Sequence, residues 1–526
     1  MANTSKTSGF EKFIKGIETV GNKLPHPFWL FVYLSVIVMV LSFLLNKAGV
    51  SATYMAAGRD GAAAKETTVS VVNLLGPDNL RSIFTDFVKT YINFTPLGLV
   101  MTMTLGIGVL EQSGLISAFM RKTILGAPSW AISAVLAIIG INANLASDAG
   151  IIFTPAIGGA IYKALGRNPW VGIITGFAAA TGGFTANFAV AGTDALLAGI
   201  TQSALAGMNI QDSSVHVLMN WYFLLFSTLT LTLVTTLITE KFLVKHLGDE
   251  RAIQDSSNLS QHEVTADEKR GLRWAGIALI GIALVLAATT VPENGFFRDP
   301  ATHKIIPNSP FLSGIIGILF FVFFLLGIAY GYGSKTIKKA GDVPKLMQSG
   351  LTGSLSFLVV VLPASMFIGL FNKSNLTTIL SVKGADALEA IGLGGIPLLV
   401  LFILLCTFVN LFMTSGSAKW LILAPIFVPM FYRIGFSPAL TQIAYRIGDS
   451  STNSVTPLSY YMPVVIGLLE QYRPKNKENQ EVGMGTVISL ILPYAVSYLT
   501  IFTIQLIVWY LLKLPLGPGA GVSVAP

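Results

Sequence analysis

Residues 437–464 read SPALTQIAYRIGDSSTNSVTPLSYYMPV, an apolar run that the polar cluster GDSSTNSVTP interrupts at 448–457. A second cluster, ATGGFTANF at 180–188, interrupts an apolar run in the first half of the chain. Both clusters are rich in Gly, Ser, Thr and Asn, which is typical of unwound helix lining a polar cavity. We predict a broken helix at each position. The alternative is that these small residues only ease helix packing.

The segments before the two clusters also match. YKALGRNP at 162–169 leads into the first broken run, and YRIGFSP at 432–438 leads into the second. Pro155 and Pro425 precede the tyrosines of these turns at the same distance. The matched order of proline, turn and broken helix predicts an internal repeat.

Composition indicates a membrane protein. Hydrophobic residues make up 53% of the 526 and charged residues 11%, against about 25% charged in soluble domains. The apolar residues form runs near the length that crosses the bilayer as helix. Nine spans are predicted, at about 27–46, 94–118, 169–200, 217–241, 272–291, 309–332, 346–372, 438–468 and 484–512.

Two further apolar stretches are too short for two ordinary spans each. The first, 127–163, is interrupted by NANLASDAG at 142–150, and the second, 391–432, by TSGS at 414–417. We call 142–150 the first tip and 414–417 the second tip. Because each stretch has two short arms around a polar turn, we predict re-entrant hairpins that line a protein cavity.

Basic residues set the orientation. Most of the 34 Lys and Arg fall on the cytoplasmic side if the N-terminus is inside and the C-terminus outside. This orientation makes 47–92 and 292–308 outside loops, the first long enough for a short surface helix. The two hairpins then open to opposite sides, so the repeats are inverted.

The predicted fold class is therefore an all-α polytopic membrane protein of the ion-transporter type. The chain is predicted to divide into five parts. Residues 1–92 form an N-terminal segment with the first span and outside loop, and 93–245 form the first repeat. Residues 246–344 form a cytoplasmic linker with scaffold spans, 345–513 the second repeat and 514–526 a C-terminal tail.

Several function classes are disfavoured. Cys406 stands alone and the five His do not cluster, so no Cys-based metal site or disulfide framework is expected. No nucleotide-binding loop or paired nucleophile and base is visible, which argues against an ATP-driven pump or an intramembrane enzyme. Orientation explains the net charge of +8 without nucleic acid. No cofactor is expected beyond a coupling ion, H⁺ or Na⁺; a channel remains an alternative.

Charged residues at membrane depth are costly and need a partner or a polar cavity. Arg446 and Asp449 are three apart on one helical face, so they can pair locally. Alternatively, Arg446 binds an anionic substrate group while Asp449 orients it or carries a proton. Asp194 is a proton carrier or a helix cap, and Asp148 in the first tip caps a helix arm or joins ion coupling. Lys419 follows the second tip and can reach the interface.

Polar oxygens near the tips and breaks suit a hard monovalent cation, which makes Na⁺ at the hairpin tips an option. The candidates are Asn144, Ser147, Asp148, Thr185, Asn187, Ser415, Thr452 and Asn453, beside Asp194 and Asp449. Trp420 can stack on an aromatic substrate or simply pack. Pro438 and Pro457 lack an N–H, which favours breaks.

The stretches SGSAKWLILAPIFVPMF (415–431), 437–464 and NANLASDAGIIFTPAIGGAIYKALGRNPW (142–170) resemble the p-aminobenzoyl-glutamate transporter (AbgT) family. The resemblance implies a homodimer with a scaffold and a transport domain, in the bacterial inner membrane among its lipids. It implies a small aromatic anionic substrate, p-aminobenzoyl-glutamate or p-aminobenzoate, and ion-driven efflux of sulfonamides by antiport. The family's functional positions match Asp194, Ser417, Trp420, Pro438, Arg446, Asp449 and Pro457. A Na⁺-coupled dicarboxylate symporter is the rival, disfavoured by Trp420.

Overall fold

The computed structural model describes residues 25–56, 65–208, 210, 212–248, 263–306, 309–352, 354–457, 459, 461–473 and 482–524. At 55, 56, 65 and 146–149 it describes the backbone but not the side chains. Ser147 and Asp148, two of the predicted ion-coupling residues, therefore have side chains outside the described part.

The described chain is mainly helical. The helices of the first half are α1 (Pro27–Lys47), α2 (Pro77–Thr85), α3 (Phe87–Ile92), α4 (Thr95–Gln112), α5 (Leu115–Leu125), α6 (Ile132–Ile141), α7 (Ser147–Ala164), α8 (Pro169–Gly182), α9 (Gly192–Ala206) and α10 (Trp221–Leu247). Those of the second half are α11 (Ala266–Thr290), α12 (Pro310–Ser313), α13 (Ile315–Gly333), α14 (Asp342–Thr352), α15 (Leu355–Lys373), α16 (Leu376–Ala390), α17 (Gly395–Asn410), α18 (Gly416–Arg433), α19 (Pro438–Thr452), α20 (Met462–Gln471) and α21 (Met484–Leu511).

Both predicted broken helices are present as helix pairs. Residues 183–191 separate α8 from α9 and are called the first break; residues 453–461 separate α19 from α20 and are called the second break. Each pair begins with the same local signal, a capping side chain followed by proline at the first helical position. Asn168 accepts from the Trp170 N–H at 3.0 Å, and Ser437 accepts from the Leu440 N–H at 3.0 Å.

Long apolar helices support the membrane prediction. In the described part, six helices are long and apolar enough to cross a bilayer, namely α1, α10, α11, α13, α15 and α21. A seventh span is obtained if α4 and α5, bent by 53° at their junction, count as one. The other two of the nine predicted spans are the helix pairs with breaks, and the count of nine stays a prediction. Ile277 of α11 is 69% exposed, as expected for a lipid-facing side chain.

The two broken helices occupy the centre of the molecule. All residues of α8 are buried, and so is nearly all of α19. Close packing of α7 on α8 depends on glycine, since a Cβ on Gly158 would lie 2.4 Å from the Gly172 carbonyl oxygen. Small residues at such a crossing let two backbones approach, which is the usual packing device of membrane helices.

Four details differ from the sequence-based expectations. The span predicted at 94–118 bends after Gln112, where Gly114 has a φ of +92°. The span predicted at 346–372 is divided between α14 and α15. The segment 47–92, predicted as an outside loop, contains α2 and α3 but also an antiparallel strand pair, β1 (Ser51–Ala56) and β2 (Lys65–Ser70), so the fold is not strictly all-α. Helix α16 was not predicted at all.

The C-terminal tail also has a defined place. Ser437 at the start of α19 donates its N–H to the Val522 carbonyl at 3.2 Å and its hydroxyl to Gly521. Leu516, Ala520 and Val522 are buried. The tail therefore anchors the helix that carries Arg446 and Asp449.

Candidate functional site

A cavity of about 590 Å³ lies between the two broken helices on one side and α1 and α15 on the other. Its wall is mixed in character. Hydroxyl groups come from Thr181, Thr185, Thr193, Ser415, Ser417 and Thr456, aromatic rings from Phe184, Phe357, Tyr445 and Tyr461, and charges from Arg446 and Asp449. A concave site with apolar rings and a few convergent polar groups is typical of a small-molecule pocket.

Arg446 does not pair with Asp449, contrary to the local pairing considered from the sequence. Its Nη1 lies 2.6 Å from Oδ1 of Asp194, and its Nη2 donates to the Phe184 carbonyl at 2.5 Å. The Arg446 and Asp194 side chains are only 3% and 2% exposed. The first break presents the Phe184 carbonyl and the start of α9 presents the Asp194 carboxylate opposite α19. A buried guanidinium needs acceptors of this kind.

Asp194 has the capping role considered for it and also pairs with Arg446, while its role as a proton carrier stays a prediction. Its Oδ2 accepts the Ala191 N–H at 2.7 Å, which caps the start of α9, while its Oδ1 binds Arg446. Thr185, in the first break, donates to the Arg446 carbonyl at 2.9 Å and bonds the Ser450 hydroxyl at 2.5 Å. The first break is thus held directly against α19.

Asp449 pairs with Lys419, which was expected to extend toward the interface. The Lys419 side chain is 1% exposed, and its Nζ lies 2.5 Å from Asp449 Oδ1. It also donates to the Asn410 side-chain oxygen. Lys419 stands in the first turns of α18 and points between α17 and α19, so its stem is covered on all sides. Asp449 itself lines the cavity, whereas Lys419 lies behind it.

Asn410 connects the second tip to the second break. Its amide nitrogen donates to the Asp449 carbonyl at 2.7 Å, to Thr452 Oγ1 at 2.9 Å and to Asn453 Oδ1 at 3.0 Å. Two of the predicted ion-coupling residues, Thr452 and Asn453, are therefore partners of an asparagine that the sequence analysis overlooked. A lone Asn in the apolar run LLCTFVNLF was the available signal.

The first tip is arranged differently from the second. Residues 414–417 line the cavity, whereas the described side chains of 142–145 do not. Asn144 instead donates to the Gly183 carbonyl at 2.9 Å, and Asn142 accepts the Phe188 N–H at 2.9 Å. Asn187 is fully buried, and neither of its amide atoms has a hydrogen-bond partner among the described residues. The first tip therefore supports the first break from behind.

Trp420 is fully buried and is not among the side chains that line the cavity. Its ring stacks on Tyr445 at a centroid distance of 4.5 Å, and its Nε1 donates to Thr201 Oγ1 at 3.0 Å. Tyr445 lines the cavity and donates its hydroxyl to the Gly416 carbonyl in the second tip. The geometry favours Trp420 as the support of Tyr445.

The remaining predicted residues fall into two groups. Ser415 and Ser417 line the cavity, and Ser415 caps α18 by accepting the Ala418 N–H at 3.3 Å. Pro438 and Pro457 are buried and do not line it: Pro438 starts α19, and Pro457 lies within the second break. Their backbone roles agree with the expectation that proline shapes the ends of broken helices.

Chemically, the cavity wall offers one guanidinium, one carboxylate, several hydroxyls and aromatic rings. The Nε–H of Arg446 has no acceptor among the described residues. This buried N–H is therefore a donor that the bonds to Asp194 and Phe184 leave unused. Among the described residues, no group of three or more His, Cys, Asp or Glu side chains is placed to hold a metal ion.

The relatives found by comparison with known proteins are all described as transport proteins, transporters or efflux pumps. The chain is 38% identical over 519 residues to the p-aminobenzoyl-glutamate transport protein of Escherichia coli (strain K12), covering 99% of this chain and 98% of that one. The MtrF structure of Neisseria gonorrhoeae, described as illuminating a class of antimetabolite efflux pumps, superposes with a TM-score of 0.89 at 35% identity, covering 97% of this chain and 100% of that one. The YdaH transporter of Alcanivorax borkumensis, described as having an unusual topology, gives 0.83 at 33% identity, covering 94% and 100%.

These relatives are transporters, which confirms the expectation of a multi-pass transporter rather than an enzyme. The model of one family also matches residues 12–524, nearly the whole sequence. The chain therefore belongs to the AbgT putative transporter family.

Proposed function

We propose that this chain is an ion-coupled secondary transporter of p-aminobenzoyl-glutamate and p-aminobenzoate type compounds. It works as a homodimer in the bacterial inner membrane, with about nine spans and two re-entrant hairpins in inverted repeats. The name of the Escherichia coli relative supports the substrate class. The observation that carries the proposal is Arg446, a buried cation in the wall of a cavity that also presents hydroxyl groups, aromatic rings and the Asp449 carboxylate.

Substrate recognition follows from the wall chemistry. A p-aminobenzoyl-glutamate anion needs a cationic or N–H-rich receptor for its carboxylates, and Arg offers a planar fork that matches them. The aromatic ring of the substrate packs near Tyr445 and Phe184, which line the cavity together with Arg446. A volume of about 590 Å³ lies within the usual range of about 300–1,000 Å³ for small-molecule sites.

Coupling to protons follows from the Asp194–Arg446 pair. An ionised Asp194 competes with the substrate carboxylate for the same guanidinium, 2.6 Å away. Protonation of Asp194 weakens this competitor, so the anion and the proton bind together. Cotransport of a proton with the anion is therefore the coupling that this geometry supports. Na⁺ at the tips is the alternative, with Asn144, Thr185, Asn187, Ser415, Thr452 and Asn453 as ligand candidates.

Export of sulfonamides by antiport is a second candidate. It is supported by the description of the Neisseria gonorrhoeae MtrF relative as an antimetabolite efflux pump. Sulfonamides mimic p-aminobenzoate but need not carry a carboxylate, so their binding relies less on Arg446. A Na⁺-coupled dicarboxylate symporter is the rival, and it would bind substrates that have no aromatic ring.

The test is flux in proteoliposomes with pH and Na⁺ gradients imposed separately. Labelled p-aminobenzoyl-glutamate should move with an inward proton gradient, and Arg446→Ala should stop it. Arg81→Ala serves as the matched control, because the Arg81 side chain is 76% exposed and its ion pair among the described residues is with its neighbour Asp78 at 2.9 Å. Flux that follows Na⁺ alone, or equal flux of aliphatic dicarboxylates, would replace this proposal by the dicarboxylate symporter.

A further inference from the structure

Lys419 places a full positive charge behind the second tip, where neither lipid nor the cavity reaches it. Its side chain is 1% exposed, and its ammonium group meets Asp449 and the Asn410 side-chain oxygen. A buried charge persists in a protein only when it is paired and hydrogen-bonded. The oxygens around Nζ therefore form a site built for a cation.

The orientation of Asn410 supports this interpretation. Its amide nitrogen already donates to the Asp449 carbonyl, Thr452 and Asn453, all within 3.0 Å. These bonds fix the amide so that its oxygen is directed at Nζ. The other cation partner, Asp449 Oδ1, belongs to a carboxylate whose second oxygen lies beside Gly416 of the second tip. The cation thus joins α17, α18 and α19 at one point.

The repeat shows that this arrangement is confined to the second half. Counting back from Tyr432 and Tyr162, the position that matches Lys419 is Ala149. Counting forward from Pro438 and Pro169, the position that matches Asp449 is Ala180. Both members of the pair are replaced by alanine in the first half, so the pair is not a general requirement for building a broken helix.

We infer that the Lys419 ammonium is a tethered cation, occupying the place between Asn410 and Asp449 that an exchangeable cation would otherwise take. The second tip then binds no Na⁺, and Lys419 positions Asp449 in the cavity wall. One consequence for transport is that an exchangeable coupling ion would have to bind elsewhere than at the second tip. This consequence rests on the proposed function. The occupation of the site can be tested without transport.

The test compares purified full-length protein with Lys419→Ala and with Lys419→Ala/Asp449→Asn. Thermal unfolding is measured in choline, sodium and methylammonium chloride at equal ionic strength. Lys419→Ala leaves a carboxylate and an amide oxygen facing a vacated space, so sodium or methylammonium should raise its Tm with the logarithm of concentration. The unaltered protein and the double variant, which has lost the carboxylate charge, should show no rise beyond one that a cation bound elsewhere gives equally to all three proteins.

Two results would overturn the inference. One is a saturable sodium-dependent rise of Tm in the unaltered protein that Asp449→Asn removes, since that places an exchangeable cation at the same oxygens. The other is a Lys419→Ala protein that no cation stabilises, or that can be purified only with Asp449→Asn added; Lys419 would then be a structural partner alone. Absence of substrate flux in the unaltered protein would instead count against the proposed function.

Discussion

The two halves of the centre, residues 132–206 and 395–471, share an order of elements but differ in charge. Each has a helix, a tip, a second helix, a turn and a broken helix. In each, an asparagine near the tip donates to a backbone carbonyl at or near the break: Asn144 to Gly183 and Asn410 to Asp449. The shared part is a backbone device that keeps an unwound helix satisfied inside the protein.

The charges of the two ion pairs at the site, by contrast, come mainly from the second half. Lys419, Arg446 and Asp449 all belong to it, and the matching positions of the first half, counted from the shared tyrosine and proline, are Ala149, Phe177 and Ala180. The first half contributes Asp194 and the Phe184 carbonyl, both used by Arg446. The comparison teaches that two segments with the same order of elements can differ in the charges they carry, since only the second places a cation in the cavity wall.

Loss of Arg446 should have the largest effect, because it breaks the link between the halves. Arg446→Ala leaves Asp194 buried without its cation, at a cost of about 3–5 kcal/mol. It should also weaken binding of p-aminobenzoyl-glutamate about 10- to 100-fold, since a charged hydrogen bond contributes about 1.5–3 kcal/mol. Thermal unfolding and equilibrium binding on purified protein measure the two losses.

The double variant Arg446→Ala/Asp194→Asn separates these losses. It should recover much of the stability, because no unpaired charge remains, without recovering the affinity. Near-normal affinity in the double variant would show that Arg446 only neutralises Asp194. In that case the difference in charge between the two halves would serve stability and not substrate binding.

Asp194→Asn should abolish the dependence of flux on a pH gradient. An asparagine oxygen can still accept the Ala191 N–H, so the start of α9 is preserved. Without a carboxylate that competes for Arg446, substrate transport should lose the proton coupling proposed for the Asp194–Arg446 pair. Proteoliposome flux at fixed substrate and varied inside pH measures this. Unchanged proton-driven flux would reduce Asp194 to a helix cap and ion-pair partner.

The two asparagines should differ in their contribution to stability. Asn410→Ala removes the three hydrogen bonds that the amide nitrogen donates and the oxygen that accepts from Lys419. We expect the free energy of unfolding to fall by about 2–3 kcal/mol. Asn144→Ala removes one described bond, to Gly183, and should cost about 1 kcal/mol. Parallel thermal unfolding of both variants tests the asymmetry. Equal losses would mean that the two tips are held alike.

Trp420→Phe should have the smallest effect. The ring that stacks on Tyr445 is retained, and only the bond to Thr201 is lost, at about 1 kcal/mol of stability. Substrate affinity should stay within about twofold, since Trp420 does not line the cavity. Tyr445→Phe, which keeps the ring but loses the hydrogen bond to the Gly416 carbonyl, is the control for a change in a side chain that lines the cavity. A tenfold loss of affinity in Trp420→Phe would restore Trp420 as a substrate contact.

Much of the architecture was predictable because it depends on local signals. The breaks after Gly182 and Thr452 follow from clusters of Gly, Ser, Thr and Asn within apolar runs, and the helix starts at Pro169 and Pro438 follow from capping chemistry. Arg446 and Asp449 were recognised as site residues because a charge in an apolar run must serve some purpose. The bend after Gln112 and the strand pair β1–β2 were missed, since a Gly-containing apolar run and a polar loop predict neither.

The partners of the charges were decided by the tertiary structure alone. By sequence, Arg446 and Asp449 are neighbours on one helix and Lys419 can reach water; in the fold, Arg446 binds Asp194 and Asp449 binds Lys419. Sequence spacing measures distance along one helix, whereas a buried charge pairs with whatever acceptor the neighbouring elements bring into a medium of low dielectric constant. The sequence by itself therefore determined where the helices break and which charged residues lie within apolar runs. Only the packing of one half against the other decided which charge each residue meets.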